Sequence, residues 1–291
     1  MESIMFRTSI VAASIAIVFS AAHAAQPLQL KVYNADDKSF NVNSTLVYGE
    51  TEAMVIDAGF TRADALRIAA NVLDSGKQLK TIYVSQADPD YYFGVEALKE
   101  IFPSAEVVTT PAVLEKLSSK MAGKVSFWGP KMGANAPRTP VLPKALAGNV
   151  LKIDGETVEI RGTSGLLAHR PYAWIPSIKA IVGNIAVFGD LHVWTADTQT
   201  AAERSAWVAQ LDEMSALKPT IVVPGHMKAG TRIDAGAITY TRGYLVAFEK
   251  NAAVAKNSAE LIESMKKSFP DAPLGLSLDI GAKVIKGEMK W

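Results

Sequence analysis

The apolar run Thr81-Ile82-Tyr83-Val84 breaks off into Ser85-Gln86-Ala87-Asp88-Pro89-Asp90-Tyr91-Tyr92-Phe93-Gly94, and a helical pattern begins near Val95. A strand that feeds a helix through an acidic loop restricts the chain to layered α/β architectures. It also places two acids and an amide at a strand end, where chemistry commonly sits because a rigid scaffold positions the loop.

The same rhythm extends in both directions. Strand-like runs are expected at Leu28 to Tyr33, Thr45 to Gly49 and Ala53 to Ile56, the last ending in Asp57-Ala58-Gly59. Helical spacing of Ala, Leu and Ile covers Arg62 to Asp74 and stops at Gly76. Leu79 to Val84 and Ala105 to Val108 read as strands, and Pro111 opens a helix to about Met121. Residues 122–147 interrupt the pattern. Phe127 and Trp128 precede a stretch rich in turn formers, Gly129-Pro130 through Thr139-Pro140, which reads as a lid or a disordered insertion, with the lid favoured by the aromatics beside it.

In the second half, strands are expected over Glu156 to Arg161, Tyr172 to Ile175, Ala180 to Val182 and Thr220 to Val223. Thr200-Ala201-Ala202-Glu203 is a capping box that opens a helix to Leu217. Ile238 to Lys267 reads as one or two amphipathic helices, broken by Pro270. This order suggests two β-rich halves packed face to face with helices outside.

Charge and composition narrow the partners. A formal net charge of +1 and the lack of a basic run give no footprint for nucleic acid. With no cysteine, thiolate is removed as nucleophile and ligand. Arg7, an apolar stretch from Ile10 to Ala22 and the small-x-small pattern Ala22-His23-Ala24 predict a signal peptide over residues 1–24, cut after Ala24. The mature chain, residues 25–291, is then expected as one domain in the periplasm or outside the cell, with no stable membrane insertion after cleavage. An uncleaved anchor is the plain alternative.

Asp57-Ala58-Gly59, the 85–94 loop, Trp174-Ile175-Pro176 before Gly183-Asn184, and Val223-Pro224-Gly225-His226 occur in the order and spacing of the metallo-β-lactamase superfamily, which the chain resembles over about residues 28–230. The resemblance implies an α/β fold, the αββα four-layer sandwich, with C-terminal helices over 235–291. It also implies a loop reading His-x-His-x-Asp-His, whose first two histidines grip one metal while the following Asp and His reach a second. Two metals with a bridging hydroxide then supply a nucleophile at neutral pH.

Set against that loop, the first His corresponds to Gln86, the second to Asp88 and the last to Tyr91, whereas Asp90 keeps its type. The next His falls within 162–166, where none exists, and His169 is the nearest. The family's bridging Asp aligns with Asn184, and the final His is His226. The family's dinuclear centre uses five histidines, but this chain has four, including His23 in the signal segment. The two-metal site therefore cannot be assembled. Asp88, Asp90 and His226, completed by His169 or His192, remain as candidates for a single divalent metal, zinc or else manganese or iron. Asp90 is then the candidate general base, and Tyr91, Arg170 and Trp194 the candidate substrate contacts.

Plain alternatives stand beside each. Asp88 and Asp90 could form a turn that caps the next helix. His192 could be a hydrogen-bonded core histidine, and Tyr91 a packing residue. Ser264-Met265-Lys266-Lys267 has Ser-x-x-Lys spacing without its supporting motifs. Neither a Gly-x-Ser-x-Gly elbow nor a phosphate-binding loop is present, so no nucleotide cofactor is expected. Two functions follow: a metal-dependent hydrolase of a small ester, lactone, amide or phosphoester, or a non-catalytic small-molecule binder on the same fold.

Overall fold

The computed structural model describes residues 27–291, so the expected signal segment and its cleavage site lie outside the described residues. The first sheet contains β1 (Gln29–Asn34), β2 (Asn43–Tyr48), β3 (Glu52–Ile56), β4 (Gln78–Tyr83), β5 (Glu106–Thr109) and β6 (Lys144–Ala145), in that spatial order. The β1–β2 and β2–β3 pairs are antiparallel, while β3 through β6 run parallel. The second sheet has the order β12-β10-β9-β8-β7, built from β7 (Val150–Ile153), β8 (Glu156–Arg161), β9 (Tyr172–Ile175), β10 (Ala180–Val182) and β12 (Ile221–Val222). A short parallel pair, β11 (Phe188–Gly189) with β13 (His226–Met227), stands apart.

Strand β3 explains why the sheets stack. Its alternate residues face opposite ways, and both faces are apolar. Ala53 and Val55 join a core with Ala65, Ile68 and Val72 of α1 (Arg62–Ser75) and Leu98 of α3 (Val95–Ile101). Met54 and Ile56 instead join a core with Val158, Ile160, Ala173 and Ile175 of the second sheet. Beyond that sheet, Trp174 and Ile181 pack against Trp207 and Leu211 of α5 (Ala201–Ala216), Tyr244 and Phe248 of α6 (Gly236–Val254), Met265 of α7 (Ser258–Ser268) and Leu278 of α8 (Gly275–Ile285). A strand covered on both faces reads as a continuous apolar run rather than an alternating one. The layers are helix, sheet, sheet, helix, as expected.

The helix that begins at Pro111 does not stop near Met121. As α4, it runs from Pro111 to Met132. Leu117, Met121, Val125, Trp128 and Met132 recur at helical spacing and pack on the first core, which holds the helix through Gly123, Gly129 and Pro130. Residues 122–147 are thus a helix end, a single 3-10 turn and an extended lead into β6. Strand β7 was not expected from sequence pattern, and helix α8 falls within the C-terminal helices expected over 235–291. Among the described residues, no helix is long and apolar enough to cross a membrane.

Candidate functional site

Strand ends β3 and β4, the loop after β4, and β13 converge on one region. Asp57 follows β3 with φ of 65° and receives two hydrogen bonds from Ser85, one from the amide (2.7 Å) and one from the hydroxyl (2.7 Å). Burial pushes the Asp57 carboxyl up to about 8, against the lowering effect of those two bonds. The acidic loop then closes back on this corner. Tyr91 carbonyl accepts from Ala58 N–H, and a Cβ on Gly94 would overlap the Ala58 carbonyl oxygen. Glycine is required there by close approach of backbone.

His226 is oriented from three sides. It pairs with Phe188 across β11–β13 and bridges to Val42. Its ring stacks on Phe188 (5.2 Å, 13°) and meets Tyr91 edge-on (5.6 Å, 78°). Nδ1 lies 2.9 Å from the Phe40 carbonyl. A carbonyl only accepts, so Nδ1 carries the proton and Nε2 presents a lone pair. Burial holds this imidazole down at about 4, so it is neutral at physiological pH. Nε2 stands 3.5 Å from Asp90 Oδ2. Burial lifts Asp90 to about 7, with its own backbone N–H and Lys124 opposing.

These two groups form the floor of a cavity of about 450 Å³. Its walls are Phe40, Phe60, Phe127, Trp128, Ile185, Phe188, Trp194, Leu274, Leu276, Ile280 and Trp291, with Asp88, Lys124, Asp197 and Ser277 as further polar members. Asp88 starts α2 (Pro89–Tyr92), but its carboxylate makes no cap bond; it pairs with Lys124 Nζ at 3.7 Å. The surrounding protein and the neighbouring Asp197 and Asp90 raise its pKa, even though 31% of the side chain remains exposed at the pocket mouth. Asp197 accepts from both indole nitrogens, Trp194 at 2.6 Å and Trp291 at 3.0 Å.

Of the expected metal set, Asp88, Asp90 and His226 reach this cavity. His169 and His192 do not. His192 is buried among the core residues around Leu191 and Val193, with Nδ1 3.0 Å from the Tyr244 hydroxyl. His169 is half-buried, and burial followed by Arg170 and Lys116 lowers it to about 4. The remaining family positions are committed to internal hydrogen bonds. Gln86 donates to the Pro171 carbonyl (3.1 Å). Asn184 donates to the Val223 carbonyl (3.1 Å) and accepts from Val187 N–H (2.8 Å). Tyr91 is fully buried, its hydroxyl on the Asn184 carbonyl (3.3 Å), so it supports the floor and offers substrate no surface.

Among the described residues, no three His, Asp or Glu side chains are grouped so as to hold a metal ion. With Lys124 on Asp88, and with Gln86, Asn184 and Tyr91 all spent on protein partners, this donor set does not fit the divalent metal that the fold implies. Nor does Arg170 line the cavity. It is buried behind it, its guanidinium 4.4 Å above the Trp207 ring and 3.4 Å from the Ile185 carbonyl. Trp194 does line the cavity. Sequence reasoning missed Asp197 and Lys124. Asp197 stands three residues after Trp194, and that spacing of acid and indole is the signal that was available.

Comparison with known proteins agrees with the fold. The metallo-β-lactamase superfamily model matches residues 38–226. No curated protein sequence matches the chain at a significant level. Among solved structures, a metallo-β-lactamase family protein from Thermus thermophilus is 15% identical, with a TM-score of 0.63 over 89% of this chain and 91% of that one. A β-lactamase domain protein from Burkholderia ambifaria is 13% identical, with a TM-score of 0.61 over 89% and 84%. A metallo-β-lactamase from Pontibacter korlensis is 17% identical, with a TM-score of 0.53 over 76% and 95%. Members of the metallo-β-lactamase superfamily typically bind divalent metals, commonly zinc. The chain belongs to the metallo-β-lactamase superfamily.

Proposed function

We propose that this protein binds a small, largely apolar molecule in the aromatic cavity, without a metal, in the periplasm or outside the cell. One observation carries the reading. The strand-end pocket of the fold persists as a cavity of about 450 Å³ with aromatic walls, while Gln86, Tyr91 and Asn184, three of the positions that would bind metal, are turned into internal hydrogen bonds. A concave apolar site with a few convergent polar groups is the usual form of a small-molecule site. Hydrolysis by metal-activated water would need a ligand set that His169, His192, Gln86 and Asn184 do not supply.

The test uses metal-stripped mature protein with 1-naphthalenemethanol as an apolar probe. The melting temperature is expected to rise with the probe in the wild type and to rise much less in Trp128→Ala. The same protein resupplied with zinc or manganese is expected to show no turnover across an ester, lactone and phosphoester panel. Metal-dependent turnover that disappears in His226→Ala would overturn the reading in favour of a hydrolase.

A further inference from the structure

Hydrogen-bond demand at the cavity floor identifies what kind of molecule fits. Three carboxylates line the cavity, and two have partners: Asp88 is ion-paired with Lys124 Nζ at 3.7 Å, and Asp197 accepts hydrogen bonds from the indoles of Trp194 and Trp291. The third does not. Asp90 is 7% exposed and faces the cavity, and among the described residues its carboxylate has no hydrogen bond from another residue. Beside it, His226 is 6% exposed and presents Nε2 as an acceptor, because Nδ1 is spent on Phe40. The 3.5 Å between them is too long for a good mutual hydrogen bond. Two acceptors on largely buried side chains therefore face one cavity with no protein donor between them, which leaves both open to the donors of a ligand.

The walls add a second, independent preference. Phe40, Phe60 and Trp128 meet one another at centroid distances of 5.2 to 5.7 Å. Trp194 and Trp291 form a second aromatic pair at 5.0 Å. Ring faces carry negative potential and attract cations. The outer side of this wall already does so, with Lys131 Nζ 3.3 Å from the centroid of Phe127.

Building on the small-molecule reading above, we infer that the ligand is an amphiphilic organic cation, a protonated amine on an apolar or aromatic body, whose N–H donors meet Asp90 and His226 while the body lies against Trp128 and Phe60. An anion would face the three carboxylates Asp88, Asp90 and Asp197 against the single ammonium of Lys124 in the same lining, and a neutral hydrocarbon would leave both acceptors unpaired.

Calorimetric titration of metal-stripped protein with three probes of one shape tests this: 1-naphthylmethylamine, 1-naphthalenemethanol and 1-naphthoate. The amine is expected to bind at least about tenfold more tightly than the alcohol, and the naphthoate most weakly. Asp90→Asn is expected to bring the preference for the amine over the alcohol down to about one, and an unchanged circular dichroism spectrum establishes that the variant folds. Should that variant not fold, His226→Gln serves the same comparison, with a smaller expected loss for the amine. Alcohol binding without a preference for the amine overturns the cation inference and leaves the apolar pocket standing. No binding by any of the three overturns both.

Discussion

The His226 Nε2 lone pair stands 3.5 Å from Asp90 Oδ2, with the opposite imidazole nitrogen fixed by the Phe40 carbonyl at 2.9 Å. This histidine is thus locked as the Nδ1–H tautomer in a largely buried setting. In nitrogen-15 NMR spectra, His226 is expected to remain neutral down to about pH 5, with its midpoint near 4. A midpoint near the ordinary 6.5 would show that water or a counter-charge reaches the ring.

Stability should depend on pH through groups of opposite sign. The lowered His226 and His169 bind fewer protons folded than unfolded, so their contribution is present above about 6.5 and is lost as pH falls through 4. The raised Asp57 and Asp90 behave inversely, contributing most below about 4 and losing that contribution as pH rises through 7 to 8. Between about 6.5 and 8 only the acids act, so the denaturation midpoint should fall over that window. Asp57→Asn, whose amide can keep both contacts with Ser85, should flatten much of the fall and raise the midpoint at pH 8. An identical slope in wild type and variant would remove Asp57 from the explanation.

Tyr91 supports the floor from below rather than facing a ligand. Tyr91→Phe removes a hydroxyl 3.3 Å from the Asn184 carbonyl but leaves the ring against His226. The expected cost is about 1 kcal/mol of folding stability in urea denaturation, with probe affinity unchanged. A large loss of affinity at unchanged stability would instead make Tyr91 a ligand contact.

Close backbone approach at Gly94 should make that position intolerant of any side chain. Gly94→Ala drives a methyl group into the Ala58 carbonyl, so either the loop or the Asp57 corner must move. A loss of about 3 kcal/mol is expected, toward the upper end for overpacked sites. A melting temperature within error of the wild type would contradict the packing described here.

Much of the fold was legible because local signals and burial agree. Thr200 and Glu203 form the expected capping box, and Gly76 ends α1 in the left-handed conformation. β3 and β10 are apolar on both faces because each sheet is covered twice. The end of α4 was not legible, since Gly123, Gly129 and Pro130 argue locally against a helix that its apolar stripe holds together. The site was legible in part. Asp88, Asp90 and His226 come together because their loops lie at neighbouring strand ends. His192 resembles a ligand in sequence, yet its apolar neighbours carry it into the core. Phe40, Phe60, Lys124, Asp197 and Trp291 share a cavity only through tertiary packing, which no local pattern encodes.

The aromatic wall should dominate affinity for any apolar probe. Trp128 contacts Phe40 and Phe60 at the pocket side of α4. Trp128→Ala is expected to weaken 1-naphthalenemethanol by roughly 30-fold, about 2 kcal/mol, as for a buried aromatic anchor. Calorimetry would check this, and an unchanged affinity would place the probe elsewhere.

The central claim is that this fold keeps its pocket without its metal, and elemental analysis tests it most directly. Mature protein purified from cells supplied with zinc and manganese should carry far less than one transition metal per chain, at a level that His226→Ala does not change. Close to one metal per chain, lost in Asp90→Ala or His226→Ala, would contradict the account.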